Sequence, residues 1–151
     1  SQTLSRLIDY EDKEVSDCTM GIFENELGGR VCVSGYYPWS FSGNLSRSLQ
    51  LKSIIRWLSK DKMSAFIDSY HKINLWIRSS SKEGISLAFV NSSFDPAKDI
   101  VLKIQTEKKE IIMYDMKLNQ NKIVASGTDG NYNIFRIPYV DPWEMRLVVF
   151  K

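Results

Sequence analysis

The chain has 151 residues, of which 43% are hydrophobic and 12% aromatic; this places it with globular domains and outside the disordered class. Twenty Lys and Arg oppose 18 Asp and Glu for a net charge of +2, and the signs mix even within "EKKE" (Glu107 to Glu110). A protein that tracks phosphates needs a stripe of one sign, and a bilayer span needs ~20 apolar residues in a row; composition argues against both nucleic acid and membrane as partners.

The N-terminal stretch "SQTLSRLIDYEDKE" holds no apolar signal core and reads as the continuation of something larger. From Asp17 to Tyr37 the pattern is a hairpin. "CTMGIFEN" and "RVCVSGY" are β-prone, and "ELGG" between them supplies the turn. With the turn centred on Leu27-Gly28, Cys18 and Cys32 are not opposite one another, so they are expected as two buried free thiols, and the redox compartment stays open. "YPWSFSGN" is a loop of turn formers. "LSRSLQLKSIIRWLSK" follows, with Leu45, Leu49, Ile54, Ile55, Trp57 and Leu58 at helical spacing. Ser42, Asn44 and Ser46 are candidate N-caps, and the helix should end near Lys60-Asp61.

From Met63 the period changes to two. "SAFIDSY", "KINLWIRSS", "ISLAFVN", "IVLKIQT", "EIIMYDM", "KIVASG", "YNIFRIPYV" and "EMRLVVFK" are eight candidate strands, separated by segments with turn chemistry. Short strands at this spacing without helices between them predict an antiparallel β-sandwich. Leu87, Phe89, Leu102, Ile104, Ile134, Leu147 and Val149 are its expected inner residues, with Trp76 in the core and Trp143 at an edge. The fold expected is mainly β: a sandwich of about eight strands over residues 63–151, preceded by a hairpin and one helix over residues 1–62. The first part is too small to close a core alone, whereas the second is large enough to fold by itself.

Chemistry is sparse. The only histidine, His71, precedes a strand, and no G-x-S-x-G elbow accompanies it. One His and two Cys cannot furnish a zinc site. Asp95, Asp99 and Asp129 sit in loops where carboxylates can bind calcium, but turn capping accounts for them more simply. Asn91-Ser92-Ser93 and Asn44-Leu45-Ser46 match the glycan-acceptor pattern, which matters only in a eukaryotic secretory setting. No catalytic residue, metal or cofactor is therefore assigned. The polar-aromatic cluster "SGYYPWSF" is more informative. Tyr36, Tyr37 and Trp39, together with Trp143 in "DPWEM", are candidates for stacking on sugar or for anchoring a neighbouring domain.

"LAFVNSSFDPAKDIVLKI" resembles the strand-loop-strand of C-terminal β-sandwich modules in bacterial glycoside hydrolases, and "FRIPYVDPWEMRLVVF" resembles their last two strands. "ENELGGRVCVSGYYPWS" followed by "RSLQLKSIIRWLS" is similar to the end of an amidotransferase-like α/β domain. That order occurs after the catalytic barrel of family 42-type β-galactosidases. The resemblance implies a non-catalytic accessory module of a larger protein with a packing or assembly role, because the catalytic glutamates of such enzymes belong to the barrel. A carbohydrate-binding module using exposed aromatics is the alternative. A neighbouring domain is the implied partner, with carbohydrate and self-association as further candidates, in a periplasmic or extracellular setting.

Overall fold

The computed structural model of the chain describes residues 1–37, 43–80 and 84–149. Over these residues the fold is mainly β: twelve strands and one helix, with the strands in three antiparallel sheets. The expected architecture of sandwich, N-terminal hairpin and single helix is the one that forms. The chain divides into two compact units, Ser1–Asp61 and Lys62–Lys151. Trp39 lies outside the described residues, as does the rest of the loop over residues 38–42.

In the first unit β1 (Gln2–Ile8), β2 (Glu14–Glu24) and β3 (Arg30–Ser34) form a sheet in that order, and α1 (Leu45–Leu58) packs on it. The β2–β3 hairpin closes at Gly28, where φ is 78° and the N–H donates to the Asn25 carbonyl at 2.9 Å. Its register sets Cys32 opposite Ile22 and not Cys18. Both cysteines are free, but Cys18 is exposed and Cys32 half-buried, against the expectation of two buried thiols. A bulge explains Cys18. Between the Ser5–Met20 and Leu7–Ser16 pairs, two steps along β1 match four along β2. Cys18 falls in that excess, and its Sγ lies 3.5 Å from where a Cβ on Gly21 would sit.

Met20 and Ile54 centre a small core between sheet and helix, with Leu4, Cys32, Tyr36 and Leu51 around it. Asn44 is the N-cap; its side-chain oxygen accepts from the Ser46 N–H at 2.9 Å and the Arg47 N–H at 3.3 Å. The helix stops where Lys60 and Asp61 turn to positive φ, 53° and 54°.

The second unit contains β4 (Ala65–Ile67), β5 (Ile73–Ser80), β6 (Gly84–Asn91), β7 (Ala97–Ile104), β8 (Glu110–Tyr114), β9 (Gln120–Val124), β10 (Gly127–Asp129), β11 (Tyr132–Val140) and β12 (Met145–Val149). One sheet has the order β10-β11-β7-β4 and the other β5-β6-β12-β8-β9. That is one strand more than the sequence pattern contained. Gly127 ends the candidate strand "KIVASG" and Thr128 and Asp129 fall in the turn segment "TDGN", yet the three pair with β11 about Gly130. The last strand of the chain inserts between β6 and β8, so it is central and not an edge.

The core between the two sheets takes Leu87 and Phe89 from β6, Ile111 and Met113 from β8 and Val148 from β12. Facing them are Ala65 and Ile67 from β4, Ile100, Leu102 and Ile104 from β7, and Phe135 and Ile137 from β11. Three expectations shift. Leu147 and Val149 lie on the outer face and Val148 is the buried one; Ile134 is half-buried while Phe135 and Ile137 are fully so. Trp76 is 55% exposed and does not belong to the core.

Candidate functional site

Both loops that cross between the sheets after β6 and after β11 lie at one end of the sandwich. The register requires it: Val140, the last residue of β11, faces Ala97 at the start of β7, and Met145 at the start of β12 faces Val90 near the end of β6. Asn91 ties these loops together from inside. It is buried, and its Nδ2 donates to the carbonyls of Asp95 at 2.9 Å, Val140 at 3.2 Å and Asp141 at 3.1 Å. Its backbone N–H donates to the Glu144 carbonyl at 3.1 Å, and its carbonyl accepts from the Trp143 N–H at 2.8 Å. A buried Asn91 is no glycan acceptor in the folded chain. The Asn-Ser-Asp-Pro stretch is thus a strand connection held by an amide, as the turn chemistry predicts.

What the loops present is aromatic. Phe94 is 87% exposed and Trp143 58%, and their rings meet edge to face with centroids 5.6 Å apart and planes at 77°. Sequence reasoning selected Trp143 and passed over Phe94, although a lone aromatic among the turn formers of "SSFDP" is the signal that would have found it. The pair is a corner and not the coplanar platform that sugar-stacking surfaces often use.

Trp143 is held at φ 58°. It is the third residue of the turn Asp141-Pro142-Trp143-Glu144, closed by the Glu144 N–H donating to the Asp141 carbonyl at 3.2 Å. Proline fixes a negative φ at the second position, and a positive φ at the third is the conformation normally filled by glycine or asparagine. A bulky indole there is strained.

Charge surrounds the corner. The Tyr139 hydroxyl donates to Asp141 Oδ1 at 2.8 Å, a bond to a carboxylate that pushes the phenol's pKa up. Arg146 bridges Glu144, 2.9 Å away, and Asp115, 3.9 Å away. Asp115 opens the β8–β9 turn, where hydrogen bonds from Asn119 hold its carboxyl below the usual carboxylate range.

The other aromatics selected from the sequence belong to the first unit. Tyr36 is half-buried in its small core, with its hydroxyl 3.5 Å from Gln50 Oε1 and the Arg47 guanidinium 5.6 Å from its ring. Tyr37 is 68% exposed. His71 Nδ1 lies 2.9 Å from the Ser69 hydroxyl in the loop before β5. Of the loop carboxylates weighed for calcium, Asp129 pairs with Lys103 Nζ at 2.9 Å, and Asp95 and Asp99 are exposed. Among the described residues no three His, Cys, Asp or Glu side chains gather in metal-binding geometry.

A second feature of note is the open side of the first unit's sheet. Met20, Ile22 and Cys32 turn toward α1, so Gly21, Phe23, Val31 and Val33 face the other way. Phe23, Val31 and Val33 are 50%, 51% and 67% exposed and line a shallow depression of ≈ 330 Å³ together with Cys18. Among the described residues β3 pairs only with β2, leaving its outer edge open. No helix among the described residues is long and apolar enough to cross a membrane.

Comparison with protein-family models, curated proteins and solved structures returns no match to this chain.

Proposed function

We infer that this chain is a non-catalytic accessory module of a larger, glycoside-hydrolase-like protein, and that its role is packing: the first unit docks on a neighbouring domain. The parent class follows from the sequence resemblance alone. The docking role is carried by the uncovered face of Phe23, Val31 and Val33 beside the open edge of β3. One face of this sheet is covered by α1, and within the first unit nothing covers Phe23, Val31 and Val33 on the other. Apolar side chains gathered on one face, with a free strand edge beside them, fit a surface that another domain covers or extends.

The test uses the whole chain. The variant Phe23→Ser/Val33→Lys should bind less of a dye that reports exposed apolar surface, and should self-associate less on gel filtration, at an unchanged Tm. A several-degree fall in Tm with no change in dye binding would mean the face is part of the unit's own core, and the docking role would be lost. Turnover of aryl glycosides by the purified chain would contradict the non-catalytic reading.

A further inference from the structure

We propose that Phe94 and Trp143 form a binding corner for a neutral sugar, with a pyranose ring laid on the indole and walled by the phenyl. This stands apart from the docking role, because it concerns the loops of the second unit and none of the residues of the open sheet face.

Trp143 occupies the one position of its turn where glycine or asparagine would sit without cost, and its φ of 58° is unfavourable for an indole. The fold gains little in return. The ring stays 58% exposed, and its one aromatic partner among the described residues is Phe94, itself 87% exposed. A turn that needed only to turn would not carry tryptophan here. Strain of this kind, kept at an exposed aromatic, fits a side chain selected for what it meets from outside.

A platform binds well when its geometry is fixed in advance. Asn91 fixes both loops at once through its amide bonds to Asp95, Val140 and Asp141 and its backbone bonds to Trp143 and Glu144. The backbone that carries the two rings is thereby held in place, and the rings stand at 77° to one another.

Chemistry then selects the ligand. A pyranose has a face of C–H bonds and a rim of hydroxyl donors, and the corner offers the complement of each. Asp95 follows Phe94 directly and Asp141 lies in the Trp143 turn; both carboxylates are exposed. Asp95 makes no side-chain bond among the described residues, and Asp141 uses only Oδ1, for Tyr139. Free carboxylate oxygens beside the rings accept from hydroxyls and repel anions, which favours neutral sugars over phosphates and uronates. A protein partner would need a broad apolar patch, whereas these two rings are bordered by Ser92, Ser93, Asp95 and Asp141.

The experiment is titration of the full chain with neutral cello-, xylo-, manno-, galacto- and malto-oligosaccharides at millimolar concentration, with oligogalacturonate as the anionic control. Heat and intrinsic fluorescence are the readouts, and Tm is measured beside them. The expected result is saturable binding of at least one neutral series and none of the control. Trp143→Asn should abolish that binding while leaving Tm unchanged or raised, since asparagine relieves the turn. Phe94→Ala, on a largely exposed side chain, should weaken it about tenfold or more. No binding across the panel overturns the proposal, as does binding that survives both substitutions. Should Trp143→Asn lower Tm, the indole is structural and Phe94→Ala decides: an unchanged affinity in that folded variant also overturns the assignment.

Discussion

Asn91 directs one amide group at three backbone carbonyls from two loops, and its burial leaves no water to replace it. Asn91→Ala would strand carbonyls that have lost their donor, which costs about 1–3 kcal/mol in the interior and opens a cavity as well. We therefore expect Asn91→Ala to destabilise the chain by about 2–3 kcal/mol in urea denaturation. Asn91→Asp should do at least as badly, because a carboxylate replaces the donor with a charged acceptor facing carbonyls. A loss below about 0.5 kcal/mol, the size of an ordinary surface change, would show that Asn91 does not hold the loops. Lys103 is another buried polar anchor. It alternates with the core residues Leu102 and Ile104, so it points away from the sandwich interior, and its Nζ pairs with Asp68 and with Asp129 at 2.9 Å. Burial pulls its pKa down, but the two carboxylates outweigh that and hold it above the ordinary 10.5. A lysine whose folded pKa is raised stabilises the fold fully below its unfolded pKa and loses that contribution as pH rises through the folded one. Lys103→Met should thus cost about 1–3 kcal/mol at neutral pH, tempered by the partial exposure of both carboxylates. The gap to the unaltered chain should stay constant to about pH 10 and narrow above it. A gap that widened at alkaline pH would contradict the ion-pair assignment.

Among the elements, α1 tests how local signals act. Asn44 satisfies two of the helix's orphan N–H groups, and Asn44→Ala should cost about 1 kcal/mol, read as a shift of the urea midpoint, with Asn44→Ser nearly neutral. An alanine variant of full stability would mean the cap is dispensable and the helix is held by Ile54 and Leu51 alone. This helix was legible because its cap, its apolar spacing and its stop all coincide. Strands were legible where alternation was clean, as in Leu87 and Phe89 or Leu102 and Ile104. It failed where apolar residues run on. In "RLVV" the period of two fits either face, and only pairing with β6 and β8 decides that Val148 is the inner residue. The strand β1 was missed for a related reason: register shifts after Thr3, Ser5 and Leu7 break its alternation, so its sequence carries no period to read. The corner of Phe94 and Trp143 was half legible. An aromatic in a turn can be seen in the sequence, but its partner lies about fifty residues away and is brought to it by strand pairing and by Asn91.

At the scale of the whole molecule the two units differ in what holds them. The second unit has one continuous core of fourteen buried residues drawn from six of its strands. The first has two buried residues at its centre, Met20 and Ile54, under a sheet whose other face is open. Conformational entropy opposes folding at a similar rate per residue in both, so the unit that buries little apolar surface per residue is the one in debt. Residues 62–151 expressed alone should therefore fold, with dispersed amide resonances and a single cooperative urea transition. Residues 1–61 alone should show weak protection from hydrogen exchange and a broad, non-cooperative melt, since a sheet covered on one face by a single helix is marginal below about 70 residues. Cooperative unfolding of the isolated first unit would mean that its small core suffices and that the open face is an ordinary surface. An isolated second unit that aggregates or melts without cooperativity would mean the sandwich depends on the rest of the chain. The same pair of fragments separates the two functional readings. Oligosaccharide binding, if it belongs to Phe94 and Trp143, must travel with residues 62–151, and the apolar-dye signal of Phe23, Val31 and Val33 must disappear with the residues that are removed.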